Sequence, residues 1–292
     1  MKLLVFGGSG QLGVELMNRA RDLNFEVFSP VQSEVDVTEK DQILKLAAIV
    51  HPQVIINCAA YTAVDKAEEE PERAFAVNSA GAQHVAEAAK QESARLIHIS
   101  TDYVFDGTAS APLTEDQPTA PLNVYGRSKR EGEERVLTCL GSQGLVVRTS
   151  SLHGRHGMNF VHTMLKLFSE RSELSVVNDQ FMCPTWAGWL AEVLLDLCRI
   201  DCHGILHACG AGVCSWFEFA SAILDDSSTV TPRAVRLLPV SARDYKRAAA
   251  RPAYSAMSTA KLAALLSRSA LPWREGLRRH LAELGQYESS EP

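Results

Sequence analysis

Short apolar runs alternate with longer stretches whose apolar positions recur every three or four residues, and this alternation fills the first half of the chain. Lys2-Leu3-Leu4-Val5-Phe6 predicts a strand, and the helical pattern beyond the glycine turn that follows it runs through Arg21. Glu26-Val27-Phe28-Ser29 predicts a second strand, after which Thr38 and Asp41 offer caps for a helix carrying Ile43, Leu44, Leu46 and Ala47. Val54-Ile55-Ile56-Asn57, Leu96-Ile97-His98-Ile99 and Leu145-Val146-Val147-Arg148 read as further strands, separated by a helix over 72–90 and a helix bearing Tyr125. Strands that are apolar throughout, each followed by a helix, predict an α/β fold with a doubly wound, parallel, Rossmann-type sheet.

After about Ser151 the alternation loosens, and helices are expected over 160–170, 186–198, 216–224 and near the C-terminus. Residues 1–150 are therefore expected to form a dinucleotide-binding domain. Residues 151–292 are expected to form a smaller α/β substrate-binding cap, with some segments returning to the sheet. The segment 108–122, rich in Pro, Thr, Ser and acidic residues, predicts a solvated loop that borders the pocket.

Composition narrows the function classes. The 292 residues carry a formal net charge of −6 with no basic block, which argues against nucleic acid or an anionic membrane as a partner. No apolar run approaches the roughly 18 residues of a membrane span, and Met1-Lys2 leads straight into a strand, so a cytoplasmic location is expected. Seven cysteines, an odd number, predict reduced thiols. Cys198, Cys202, His203, His207, Cys209 and Cys214 cluster in sequence but contain no C-x-x-C pair. Gly204 to Cys209 reads as a strand whose side chains alternate between faces, so no metal is expected there.

The candidate chemistry lies at the carboxyl ends of the predicted strands, where open α/β sheets bind ligands. Gly7-Gly8-Ser9-Gly10-Gln11-Leu12-Gly13 is a dinucleotide fingerprint between strand and helix: Gly7 permits the turn, Gly10 the approach of a pyrophosphate, Gly13 close helix packing. Ala59 and Ala60 after the third strand let a cofactor lie against backbone, and Thr101 after the fourth offers a hydroxyl to a carbonyl oxygen. Tyr125 and Lys129 lie four apart on one helix face, and the spacing predicts that the ammonium favours the phenolate.

These residues resemble the extended short-chain dehydrogenase/reductase superfamily, whose active site is a Ser or Thr, a Tyr and a Lys in this chain order. Within it the chain is similar to the dTDP-4-dehydrorhamnose reductase family. The similarity rests on Asn57 through Glu68, Ser100 through Gly107, Pro121 through Gly126, Arg148-Thr149-Ser150, Val177-Asn178-Asp179-Gln180 with Pro184-Thr185, and Ala250-Arg251-Pro252 with Ser255. The resemblance implies that NADPH delivers hydride to C4 of a dTDP-linked 4-keto sugar. Tyr125 would then protonate the alkoxide, Thr101 bond the same oxygen, and Lys129 tune Tyr125 and hold the nicotinamide ribose. It implies cofactor contacts from Gly7, Gly10, Gln11, Leu12, Asp36, Val37, Ala60, Tyr61 and Thr62 besides Tyr125 and Lys129. Substrate contacts are implied for Thr101, Asp102, Tyr103, Gln180 and Arg251, with a turn cap as the other reading of Asp102.

Several positions qualify this picture. Related sugar-nucleotide dehydratases carry Glu where this chain has Tyr103, which favours reduction over dehydration. An epimerase with tightly held NAD, a reductase of another 4-keto sugar, and a regulatory subunit like the methionine adenosyltransferase β-subunit remain alternatives. Ser151-Leu152-His153 stands where the family usually places an aromatic residue. Ser29-Pro30-Val31 offers neither the acid of NAD enzymes nor the Arg of NADP enzymes, leaving NADH open beside NADPH. Glu15 matches a glutamate through which some relatives form metal-bridged dimers, but Trp186-Ala187-Gly188-Trp189 lacks the second carboxylate. Mg2+ is therefore not expected, Glu15 is expected to be a solvated helix residue, and monomer and homodimer both stay open.

Overall fold

A computed structural model describes residues 1–227 and 235–285. Five parallel strands, β1 (Lys2–Phe6), β2 (Glu26–Phe28), β3 (Val54–Asn57), β4 (Arg95–Thr101) and β5 (Gly144–Thr149), are joined by Gly204–His207 from the second half. Their order is β2-β1-β3-β4-β5 followed by Gly204–His207. The winding reverses beside β1, which pairs with β2 on one side and β3 on the other, and a crevice opens beyond the carboxyl ends of β1 and β3.

Alternate residues of each strand serve opposite faces. Leu3, Val5, Val54, Ile56, Ile97 and Val147 pack against helix α1 (Gln11–Asp22) and helix Ala187–Cys198. Leu4, Phe6, Ile55, Leu96 and Val146 pack against α2 (Lys40–Val50) and helices Gly81–Gln91 and Val124–Leu140. Burial on both faces is why these strands read as unbroken apolar runs. Beyond the sheet, helices Phe160–Glu170, Trp216–Asp226 and Trp273–Glu283 enclose a second core around Phe219, Ile223 and Leu277. Its floor is the parallel pair Glu173–Val177 and Arg236–Val240.

Four expectations need correction. Neither Thr38 nor Asp41 caps α2: its N-cap is Glu39, without a side-chain bond. Asp36 captures Thr38 first, accepting from its backbone N (2.9 Å) and hydroxyl (2.8 Å). The predicted helix over 72–90 is broken by a π turn, Ala76–Ala80, between Pro71–Phe75 and Gly81–Gln91. The segment 108–122 lines neither cavity at the crevice. Its Leu113 is drawn into a satellite core with Phe105 and Met257, and Glu115 accepts from the backbone N of His207 at 2.9 Å. Glu15, finally, is buried on the face of α1 that packs against Ala187–Cys198, paired with Arg19 and 3.8 Å from His156 Nε2.

Among the described residues, no group of three or more His, Cys, Asp or Glu side chains is gathered to hold a metal. Nor is any described helix long and apolar enough to cross a membrane.

Candidate active site

The glycine turn is shaped by contacts that exclude side chains. Gly7 has φ +77°, and a Cβ there would fall 2.5 Å from the backbone N of Ala59; at Gly13 it would fall 2.2 Å from the carbonyl oxygen of Gly7. The turn thus lies flush against the exit of β3 and beneath α1. Two cavities meet over it, both lined by Gly7, Gly10, Cys58 and Ala60. One, of about 450 Å³, is closed by Pro30, Gln32, Asp36, Val37, Tyr61 and Arg73. The other, of about 550 Å³, is lined by Gln11, Leu12, Thr62, Thr101, Asp102, Tyr103, Tyr125 and Lys129, with Ser151 and Trp216. Every residue expected at the cofactor therefore lies on this double cavity. A side-chain-free cradle at a helix N-terminus fits a dinucleotide.

Buried polar side chains fix the rim. The π turn directs Asn78 inward, where it accepts from Tyr61 N (2.8 Å) and donates to Tyr61 O (3.0 Å) and Ser128 Oγ (2.9 Å). Gln11 donates to Leu152 O (3.1 Å) and accepts from Asn159 Nδ2 (2.7 Å), joining the glycine turn to the second half of the chain. Asn123 caps the Tyr125 helix by accepting from Gly126 N at 2.7 Å and donates to Ala250 O at 2.7 Å.

Thr101, Tyr125 and Lys129 face one cavity from β4 and the helix Val124–Leu140. The Thr101 hydroxyl donates to Asp102 Oδ1 (3.1 Å) and accepts from Tyr103 N (3.2 Å). The Tyr125 ring meets Tyr103 edge-on at 5.9 Å. Burial pushes the Tyr125 phenol well above its ordinary range; Thr101 pulls it back, while Asp102 and Tyr103 push it further up. The expectation that Lys129 favours the Tyr125 phenolate is corrected here. Lys129 Nζ donates to Ile99 O at 2.6 Å and stands 3.5 Å from His98 Nε2, which anchors it on β4 while further N–H donors remain at the cavity. Burial brings the Lys129 ammonium itself down to about 8, against the pull of Glu133.

Asp102 is buried, and its carboxylate accepts from Thr101, from Ser150 Oγ (2.8 Å) and from Ser255 Oγ. Burial raises its pKa to about 6 despite those three hydroxyls. Gln180 and Arg251 line a neighbouring pocket of about 410 Å³ with Lys246 and Arg247. Arg251 grips Asp65 with both guanidinium nitrogens (2.9 and 2.7 Å), holding that carboxyl at about 2, and borders Tyr103 between the two pockets. Ser151 adopts φ +43° at the cavity wall, and Trp216 supplies an aromatic face to the same cavity.

Sequence reasoning missed Asn78, His98, Ser150, Ser255 and Arg73 as parts of this site. Ser150 and Ser255 stand in quoted motifs, a signal that was present; the other three are placed by packing.

Comparison with known proteins follows the same lines. The model of the RmlD substrate binding domain matches residues 1–286. The spore coat polysaccharide biosynthesis protein SpsK of Bacillus subtilis is 37% identical over 284 residues, covering 97% of each chain. A dTDP-4-dehydrorhamnose reductase of Aggregatibacter actinomycetemcomitans is 38% identical over 288 residues, covering 95% of this chain and 97% of that one. The crystal structure of a dTDP-4-dehydrorhamnose reductase from Bacillus anthracis in complex with NADP superposes with a TM-score of 0.91 at 37% identity, covering 97% of this chain and 99% of that one. The chain belongs to the dTDP-4-dehydrorhamnose reductase family.

Proposed function

We propose that the protein reduces the C4 keto group of dTDP-4-dehydro-L-rhamnose with NADPH, giving dTDP-L-rhamnose. The observation that carries the reading is the convergence of Thr101, Tyr125 and Lys129 on a cavity continuous with the glycine cradle. Bound NADPH supplies the hydride. Thr101, turning its single O–H away from Asp102 Oδ1, donates a hydrogen bond to the carbonyl oxygen, and Tyr125 releases its phenolic proton as negative charge builds there. A phenol raised by burial stays protonated at neutral pH, the state a reductase needs in its acid. Lys129 holds the nicotinamide ribose. The basic pocket of Gln180, Lys246, Arg247 and Arg251 takes the nucleotide's phosphates.

The test is NADPH oxidation on addition of dTDP-4-dehydro-L-rhamnose. Tyr125→Phe is expected to lower kcat by about 10²- to 10⁴-fold while leaving NADPH binding intact. Undiminished turnover in that variant would remove Tyr125 from the mechanism. Ser151, with no aromatic ring to offer, favours a second reading in which another 4-keto sugar is reduced; turnover of that sugar alone would select it. Protein carrying tightly bound NAD and consuming none would point to an epimerase, and stoichiometric capture of a partner without turnover to a regulatory subunit. The same reading has a monomer or homodimer acting in the cytoplasm, in keeping with seven free cysteines.

A further inference from the structure

The relative from Bacillus anthracis binds NADP, yet the segment after β2, Ser29-Pro30-Val31, supplies no cation for the phosphate that distinguishes NADP from NAD. A carboxylate on that side, Asp36, is already engaged. Its Oδ1 accepts from Thr38 N and Thr38 Oγ1, and its Oδ2 from Gln32 Nε2 at 3.1 Å. The first cavity nevertheless has a cation on its wall, contributed by a different element: Arg73, on Pro71–Phe75. It is the one Lys or Arg among the described residues lining that cavity. Its guanidinium rests 5.7 Å from the centre of the Tyr61 ring and acts electrostatically on Asp36, which places it beside the segment that follows β2.

Arg73 is also underused. Its single ion pair among the described residues, with Glu70, is 3.5 Å long, and Glu70 is already bound by Lys66 (2.8 Å) and the Tyr61 hydroxyl (2.9 Å). A guanidinium has five N–H donors in a planar fork suited to a phosphate dianion, and most of these are unspent. Asn78 and the Glu70 bond hold Tyr61 in place beneath it, so the cation is steered toward the cavity before any ligand arrives. We propose that Arg73 is the specificity residue for NADPH, binding the 2′-phosphate of the adenosine ribose from across the cavity in place of an arginine after β2.

The inference rests on the dinucleotide reading of the double cavity, and the two fail separately. Titration of the full chain with NADP+ and with NAD+, followed by tryptophan fluorescence or calorimetry, is to be compared with the Arg73→Gln and Arg73→Lys variants. Arg73→Gln is expected to weaken NADP+ binding about 10- to 100-fold and to change NAD+ binding less than about twofold. Arg73→Lys is expected to fall between, because a point charge replaces the fork. The preference for NADP+ over NAD+ in the unaltered protein should also shrink as salt rises, and the shrinkage should vanish in Arg73→Gln. Equal loss for both nucleotides would make Arg73 a support for Tyr61 and overturn the assignment, as would no loss for either. Failure of the unaltered protein to bind either nucleotide would instead overturn the reading of the cavity.

Discussion

Asp102 shows how one buried carboxyl is set by its surroundings. Ordinary carboxyls titrate near 3.8, and burial lifts this one to about 6. A folded-state pKa above the unfolded value means that the folded protein holds the proton more tightly, so this group's stabilisation is complete below pH 4 and is lost as pH rises through 6. Asp102→Asn should erase that contribution, worth about 3 kcal/mol, and flatten the urea midpoint between pH 4 and 6 relative to the unaltered protein; an unchanged slope would count against the assignment. The chemistry at this scale was legible where it was local. Tyr125 and Lys129 share a helix face, and Thr101 closes a strand, features that spacing alone predicts. The direction of the Lys129 ammonium was not legible, because the carbonyl that receives it, Ile99 O, is brought there by the packing of the Tyr125 helix on β4.

Among elements, the π turn Ala76–Ala80 interrupts what the apolar periodicity presents as one helix. The inserted residue turns Asn78 into the interior, where three hydrogen bonds pin the Tyr61 turn to the Tyr125 helix. Asn78→Ala should leave a backbone N–H and a C=O of Tyr61 without partners. We expect a loss of about 2–3 kcal/mol in stability and weaker dinucleotide binding, checked by urea unfolding and nucleotide titration on the same preparation. Loss of stability with unaltered affinity would mean that the Tyr61 turn holds its shape unaided. Periodicity recovered the strands, whose apolar runs are dictated by burial on both faces. It missed the π turn because an extra residue in a helix leaves the three-to-four spacing nearly intact. The segment 108–122 is mostly exposed, as its polar composition predicts, but Leu113 is drawn to Phe105 and Met257, away from the crevice that sequence neighbours suggested.

Across the whole molecule, neutral histidines hold segments far apart in sequence against one another. His153, paired with the backbone of Thr185–Trp186, stacks on His280 of the last described helix with Nδ1 to Nδ1 at 3.1 Å, and His162 meets His280 edge-on. Burial holds His280 down to about 3 and does the same to His207 at the sheet edge. Here the folded state refuses protons that the unfolded chain accepts, so stability is lost as pH falls below 6.5. At pH 5 each of the two costs about 2 kcal/mol, more together than Asp102 returns, so Tm should fall steeply from pH 7 to 5. His280→Gln should make that fall shallower; an identical fall would exonerate the cluster. The order in which the molecule comes into being carries a last consequence. The five strands of the sheet's first half are complete by Thr149, whereas the carboxylate of Asp102 waits for hydroxyls 48 and 153 residues further along the chain. A polypeptide emerging from the ribosome can therefore hold five of the six strands, with Thr101, Tyr125 and Lys129 already made, while Gly204–His207 and the last hydroxyl on Asp102 are still to come. Contacts of such long separation close late, so the setting of Asp102 beside Thr101 is completed as one of the final events of folding, after Ser255 has been synthesised.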